Sequence, residues 1–288
     1  MTADVLESLR QALPGLRPAE RRIAELALAT PAEASEMTIT ALAEQCSTSA
    51  ASVTRLYRAL GLPGYPAFRI ALARAAADEQ RRRLSFGIED TEINPEDDAL
   101  AVARKLAYHE ARAIEGTAEA LNVVELDRVA EAITQSPVVD IYGSGSSSLA
   151  GQDLQQKLRR IGRLTNCWVD PHLAITSAAV LPPASVAIAF SHSGRTSETI
   201  AALRTAARAG AHTVAITNFQ DTPLARHASS VLTTVSRETR FRPGAMASRM
   251  AQLALVDILF IRVAQRSPEA VSLSLTATYD AIAARHDR

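Results

Sequence analysis

The chain has 288 residues, 47% of them hydrophobic and 22% charged, and its 31 Lys+Arg balance 31 Asp+Glu. Roughly 150 residues per domain predicts about two domains, and this composition excludes a disordered chain and a global positive field drawing it to nucleic acid or an anionic membrane. Any such binding has to be local.

Taken in chain order, Met1 to Arg10 carries Asp4 and Glu7 where a signal peptide needs basic residues and then an apolar run. No segment reaches about 18 uninterrupted apolar residues, so the expectation is a cytoplasmic chain with no membrane partner. Up to Arg83 the apolar period is helical, with Gly and Pro confined to turns such as Pro14-Gly15 and Gly61-Leu62-Pro63-Gly64. Residues 1–83 are therefore read as an all-α domain.

Inside it, Thr40–Cys46 and Ala50–Leu60 read as two short helices meeting at Ser47-Thr48. Ser49 is expected to cap the second helix through its hydroxyl, and Gly61 to end it. Val53, Leu56, Tyr57 and Leu60 form its apolar stripe, while Ala51, Thr54, Arg55 and Arg58 face away. With Ser49 and Ser52, these make the set expected to contact a double-stranded DNA operator, since such a helix fits the major groove and Arg pairs with guanine edges or phosphates. A plain helical hairpin with a solvated Arg face is the alternative. Ala43 is small where the helices must cross, and Ser47 stands where such turns often carry Gly, so it must accept a less comfortable backbone. Residues 1–84 hold 11 Arg against 9 acids, a net of +2, so operator binding calls for a dimer.

Residues 84–98 are acidic, lack either apolar period, and read as an exposed linker. Residues 99–288 form the second domain. Helix formers dominate from Ala99 to Gln135, after which β-branched runs alternate with helical stretches. The runs are Val138–Tyr142, Leu164–Val169, Ser185–Phe190, His212–Thr217 and Ser230–Val235, which predicts a five-stranded parallel α/β sheet binding its ligand at the strand C-termini.

The first strand runs into Gly143-Ser-Gly145, and the third into a loop where Ser191, Ser193 and Thr196 surround Gly194 before another helix. Close backbone approach at glycines, free helix-start amides and short hydroxyls suit a small anion such as phosphate. Hydroxyl-rich connections without a ligand are the bland alternative. A dinucleotide fold, with Asp170 as its ribose acid, fails because Ser148 occupies the third glycine position. Neither a P-loop nor a Gly-x-Ser-x-Gly elbow is present. Cys46 and Cys167 support neither a disulfide framework nor a zinc cluster, and His172, His192 and His212 lack metal-ligand spacing. No cofactor, metal or catalytic residue is expected, and Trp168 is read as core.

Leu16-Arg-Pro-Ala-Glu-Arg-Arg-Ile-Ala-Glu, Leu42-Ala-Glu, Val53-Thr-Arg-Leu-Tyr-Arg-Ala-Leu-Gly and Gly64-Tyr-Pro-Ala-Phe68 make the first domain resemble the RpiR-type helix-turn-helix. The second resembles a sugar isomerase (SIS) domain through Gly143-x-Gly-x-Ser147, Asp153-Leu-x-x-Lys-Leu-x-x-Ile-Gly162, Ser191-x-Ser-Gly-x-Thr-x-Glu198 and Ser248-Arg-Met-Ala-Gln-Leu-Ala-Leu-Val-Asp257. The resemblance implies a bacterial transcription regulator of sugar catabolism, a homodimer or homotetramer that senses a phosphosugar effector. Carried over by matching position, Ser147, Ser191, Ser193 and Thr196 would hold the phosphate, with Glu238 and Arg249 toward the sugar end. The SIS fold also hosts phosphosugar isomerases and a lyase acting on N-acetylmuramic acid 6-phosphate. Proton transfer there needs a carboxylate or His aimed at the sugar carbons, yet Asp153 and Asp170 are the only acids between Ile141 and Ser197. A regulator rather than an enzyme is the expectation.

Overall fold

The structure is a computed structural model that describes residues 4–238 and 245–283. The chain separates into two compact units, Met1–Tyr108 and His109–Arg288.

The first unit contains α1 (Val5–Ala12), α2 (Pro18–Ala29), α3 (Pro31–Glu36), α4 (Ile39–Gln45), α5 (Ala50–Ala59), α6 (Tyr65–Phe86) and the start of α7 (Ala99–Glu119). Its core takes Leu9, Ile23, Leu42, Val53, Leu56, Phe68 and Leu72, all fully buried. The stripe read from α5 packs inward at Val53, Leu56 and Tyr57, with Leu60 half-buried at its end. Helix α6 runs three residues beyond Arg83, to Phe86, and stops where Gly87 turns left-handed at φ 65°.

Residues 84–98 are less exposed than their acidity implies. Ile88 is buried, and the buried Lys105 ammonium on α7 reaches Asp97 at 2.9 Å, Asp90 at 3.0 Å and the Glu92 carbonyl at 2.7 Å. A desolvated ammonium needs counter-charges, and the acidic run supplies them. Tyr108 belongs to the same unit, donating its hydroxyl to Glu79 and meeting Phe86 edge-on at 5.7 Å.

The helix-rich stretch from Ala99 to Gln135 forms two helices, α7, which begins in the first unit, and one that lies in the second. Asn122 accepts from the Val124 and Glu125 amides and so starts α8 (Val123–Gln135). There follow β1 (Val139–Gly143), α9 (Ser146–Arg160), β2 (Thr165–Trp168), α10 (Pro171–Ala179), β3 (Val186–Phe190), α11 (Ser197–Arg208), β4 (His212–Thr217), β5 (Ser230–Thr233), α12 (Ala247–Ala264) and α13 (Pro268–Ala283). The strands differ from the sequence reading by one or two residues at some ends. All pair in parallel in the order β2-β1-β3-β4-β5, with Val139 opposite Thr165 and Val186, and Val186 opposite His212.

Helices cover both faces, which is why β1 and β3 are buried throughout. Strand alternation sorts side chains by size. Val186, Ile188 and Phe190 face the larger core with Leu158, Leu255 and Leu259, while Ala187 and Ala189 let α10 and α11 approach closely through Ala178, Ala202 and Ala206. Among the described residues no helix is long and apolar enough to cross a membrane.

Candidate functional site

Two places carry the polar chemistry, one in each unit. In the first, α4 starts at Thr38, whose hydroxyl accepts from the Ala41 amide at 3.2 Å, and α4 meets α5 through a short turn beside the buried Ala43. Ser47 holds a left-handed backbone at φ 49°, the strained position its sequence context implied. The turn is clamped from α2: Arg22 donates Nε to the Cys46 carbonyl at 2.8 Å and Nη2 to the Ser47 carbonyl at 2.9 Å. A left-handed L-residue costs roughly 1–2 kcal/mol, partly offset because glycine loses more chain entropy on folding. Ser47→Gly should therefore stabilise this unit by about 0.5–1 kcal/mol, measured as a higher urea midpoint of the full-length chain.

Helix α5 presents Ala51 and Arg58 to solvent, with Thr54 half-exposed and its hydroxyl donating to the Ala50 carbonyl at 3.0 Å. Three expectations change. The Ser49 hydroxyl does not cap α5 but lies 3.3 Å from the Ser52 hydroxyl, and the Ser49 carbonyl takes the first-turn amide of Ser52. Ser52 is buried, since it sits four residues before Leu56 and so borders the inward stripe; it does not belong to the outward face. Arg55 does face outward, but its Nε donates to Glu20 on α2 at 2.9 Å and its Nη2 to Ser52 at 2.9 Å. The Arg55 hydrogen bond, helped by the Arg17 amide, holds the Glu20 carboxyl below the usual carboxylate range.

In the second unit, β1 and β3 each deliver the chain into a loop and then a helix. Gly143 passes so close to α9 that a Cβ there would lie 3.2 Å from backbone atoms of Ser147 and Ser148, and Gly145 turns left-handed at φ 58° to open the helix. After β3, the buried Ser191 hydroxyl accepts from the Gly194 amide at 3.1 Å and lies 3.0 Å from the Thr196 hydroxyl, so it knots the loop. Ser193 is exposed, its oxygen accepting from the Arg195 amide at 3.3 Å. Neither α9 nor α11 has a side-chain cap despite the many hydroxyls at hand. In α9 the Ser148 amide donates to the Gly145 carbonyl at 3.1 Å, which leaves the amides before it and the first turn of α11 to face an anion, and helix N-termini attract anions.

A cavity of about 400 Å³ opens between these loops, and it gathers Ser147, Ser191, Ser193 and Thr196 from the sequence-derived set. Sequence reasoning missed Ser144, Ser146, His192 and Ser248, which also line it. Ser248 and Gln252 are buried polar residues one turn apart on the mostly apolar α12, a signal that was visible; the Gln252 amide donates to the Ser147 hydroxyl at 3.2 Å and orients it. Glu238 and Arg249 are not on the cavity wall. Glu238 accepts from the Ser248 amide at 3.0 Å and from the Ser248 hydroxyl, serving the start of α12, where Met246 offers no side-chain cap. Arg249 is half-buried on that first turn. Asp170 caps α10 through the Leu173 amide at 2.8 Å, and Trp168 donates to the buried Asp140 at 2.8 Å. No metal-ligand cluster occurs among the described residues.

Residues 3–79 match the helix-turn-helix domain of the rpiR family, and residues 132–262 match the SIS domain. An uncharacterized HTH-type transcriptional regulator from Caldanaerobacter subterraneus subsp. tengcongensis is 38% identical over 282 residues, spanning 98% of each chain. The NanR protein of Vibrio vulnificus, solved in complex with ManNAc-6P, is 28% identical with a TM-score of 0.60, covering 96% of this chain and 98% of that one. The sugar isomerase domain of an RpiR transcription factor from Sphaerobacter thermophilus, 24% identical with a TM-score of 0.58, covers 62% of this chain and 98% of its own and shares the fold.

Proposed function

The chain belongs to the rpiR family of helix-turn-helix transcriptional regulators, and from that premise we propose that its α/β unit senses a phosphorylated sugar and couples it to operator binding by the α4–α5 pair. One observation carries this reading: seven of the nine side chains lining the cavity bear hydroxyls, and both helices opening onto it lack side-chain caps. A phosphate fits that donor set. The complex of NanR with ManNAc-6P supports the same ligand class.

The cavity binds its ligand without turning it over. Among the described lining residues His192 is the one side chain able to move a proton, no carboxylate stands with it, and Glu238 is engaged at the start of α12. The isomerase or lyase alternative predicts conversion of a bound phosphosugar, so product analysis against a heat-killed control distinguishes the two. The regulator works in the cytoplasm, consistent with its free Cys46 and Cys167, and as a homodimer or homotetramer. Exposed Leu273 and Tyr279 on α13, which has no buried residue, supply apolar surface for that assembly.

The test is a thermal-shift screen of the full-length chain against hexose and N-acetylhexosamine 6-phosphates and their unphosphorylated parents. A ligand bound to the native state raises the midpoint by mass action. At least one phosphate ester should raise it while its parent sugar does not; equal shifts from both would overturn a phosphate site. Ser193→Ala removes an exposed hydroxyl from that site at little cost to the empty fold. A lost hydrogen bond to a charged oxygen costs roughly 1.5–3 kcal/mol, so calorimetry should read affinity for the bound ester about tenfold to a hundredfold weaker.

A further inference from the structure

We infer that Glu20 is a positioning residue for DNA reading, one that holds Arg55 so that the remaining edge of its guanidinium is presented to a guanine. This rests on the operator-binding reading above and adds to it the base that is read and the residue that aims the reader.

Glu20 lies outside the helix pair, on the inner side of α2 beside the buried Ile23, Ala24 and Ala27. Its side chain is 11% exposed, whereas that of Arg55 is 49% exposed. The pair is formed at neutral pH, since the Arg55 hydrogen bond outweighs the carboxylate's desolvation and keeps the Glu20 carboxyl below its usual range, and it adds stability there. Its geometry suits another purpose. Glu20 takes Nε and Ser52 takes Nη2, both at 2.9 Å, so one side of the guanidinium plane is tethered at two points. Nη1 makes no hydrogen bond among the described residues, and Nη2 keeps a second proton. Together they form the fork that matches guanine O6 and N7.

A long side chain restrained before binding loses less freedom on binding, which favours a directional contact over a diffuse phosphate contact. Helix α2 serves the same end twice, since its Arg22 also clamps the carbonyls of Cys46 and Ser47 at the turn. Arg58, exposed one turn further along α5, has no such tether among the described residues and suits a phosphate.

The experiment is enrichment of random double-stranded oligonucleotides by the full-length protein, followed by affinity and salt titrations on the enriched duplex. The parent should enrich half-sites with a guanine at one fixed position. Glu20→Gln keeps size and one acceptor but loses the charge; its discrimination for that guanine should fall at least fivefold, while the salt slope and the affinity for unrelated DNA stay as in the parent. Ser52→Ala cuts the second tether without touching the ion pair and should give a smaller loss of the same kind. Arg55→Lys should abolish the preference. Unchanged guanine discrimination in both Glu20→Gln and Ser52→Ala, or a preference that survives Arg55→Lys, overturns the inference. A parent that enriches no sequence overturns the operator-binding reading itself, and a salt slope lowered by about one in Glu20→Gln would make Arg55 a phosphate contact.

Discussion

Replacing Gly194 by alanine should weaken phosphosugar binding more than a hundredfold and destabilise the α/β unit by about 2–4 kcal/mol. Gly194 sits at φ 63°, and a Cβ there would lie 2.4 Å from both Cβ and Oγ1 of Thr222. Thr222 cannot swing aside freely. It is buried, and its hydroxyl accepts from the Ala225 amide at 3.1 Å, while the Leu224 amide donates to the Gly194 carbonyl at 3.0 Å. The left-handed backbone costs roughly 1–2 kcal/mol and the contact adds an overpacking penalty of similar size. Relief moves the loop that carries Ser193 and Thr196. Gly210→Ala is the control: its φ is 88° but nothing lies within 4 Å of the added atom, so it should cost only the backbone term and leave effector affinity unchanged. Calorimetry and urea unfolding of both variants separate the two contributions.

A second large effect is expected at Asp140, whose fully buried carboxylate on β1 accepts from Asn166 at 2.9 Å, Trp168 at 2.8 Å and Ser177 at 2.5 Å, with the Tyr142 hydroxyl at 3.4 Å. These donors come from β2, α10 and β1 itself, so one acidic side chain ties the edge strand and a helix to the centre of the sheet. Asp140→Ala strands several buried donors at once. Each costs roughly 1–3 kcal/mol when left unsatisfied, and the whole should reach about 3–5 kcal/mol, since the neighbours share one acceptor and relax together. Asp140→Asn keeps the shape and should lose less. The same surroundings raise neighbouring pKa values: burial, with Asp140 adding, pushes the Cys167 thiol up to about 11 and lifts the Tyr142 phenol well above its ordinary range. At neutral pH Cys167 should accordingly react slowly with thiol reagents until the unit unfolds.

What the sequence disclosed and what it hid divide along physical lines. The parallel sheet and the two strand-to-helix loops that line the cavity were legible because each is local: a β-branched run, then Gly143 and Gly145 or Ser191 and Gly194, then a helical period. The turn at Ser47 was legible for the same reason, down to its strained backbone. Hidden were pairings across long separations. Glu20 and Arg55 stand 35 positions apart, so nothing around Arg55 in the chain disclosed that one side of its guanidinium is occupied. Lys105 draws in an acidic run that looks, by composition, like an exposed linker. Asp140 sits in a strand whose period reads as buried, and only the folded sheet brings Asn166, Trp168 and Ser177 to it. Ser52, named with the DNA-contacting set, is buried, because its spacing from Leu56 turns it toward the inward stripe. Glu238 and Arg249 were placed by resemblance alone, and a capping need at α12 explains the first.

Coupling between the cavity and the helix pair is read by a fluorescence-anisotropy titration of an enriched operator duplex with the full-length chain. The titration is run with and without a saturating concentration of the phosphosugar that raises the thermal midpoint. A coupling of 1–3 kcal/mol corresponds to about 5-fold to 150-fold, and linkage requires the duplex to change effector affinity by the same factor. Operator Kd should shift at least fivefold with effector, calorimetry should return the reciprocal shift, and Ser193→Ala should bind the duplex like the parent but respond only at proportionally higher effector. An operator Kd unchanged by an effector shown to be bound would contradict the coupling.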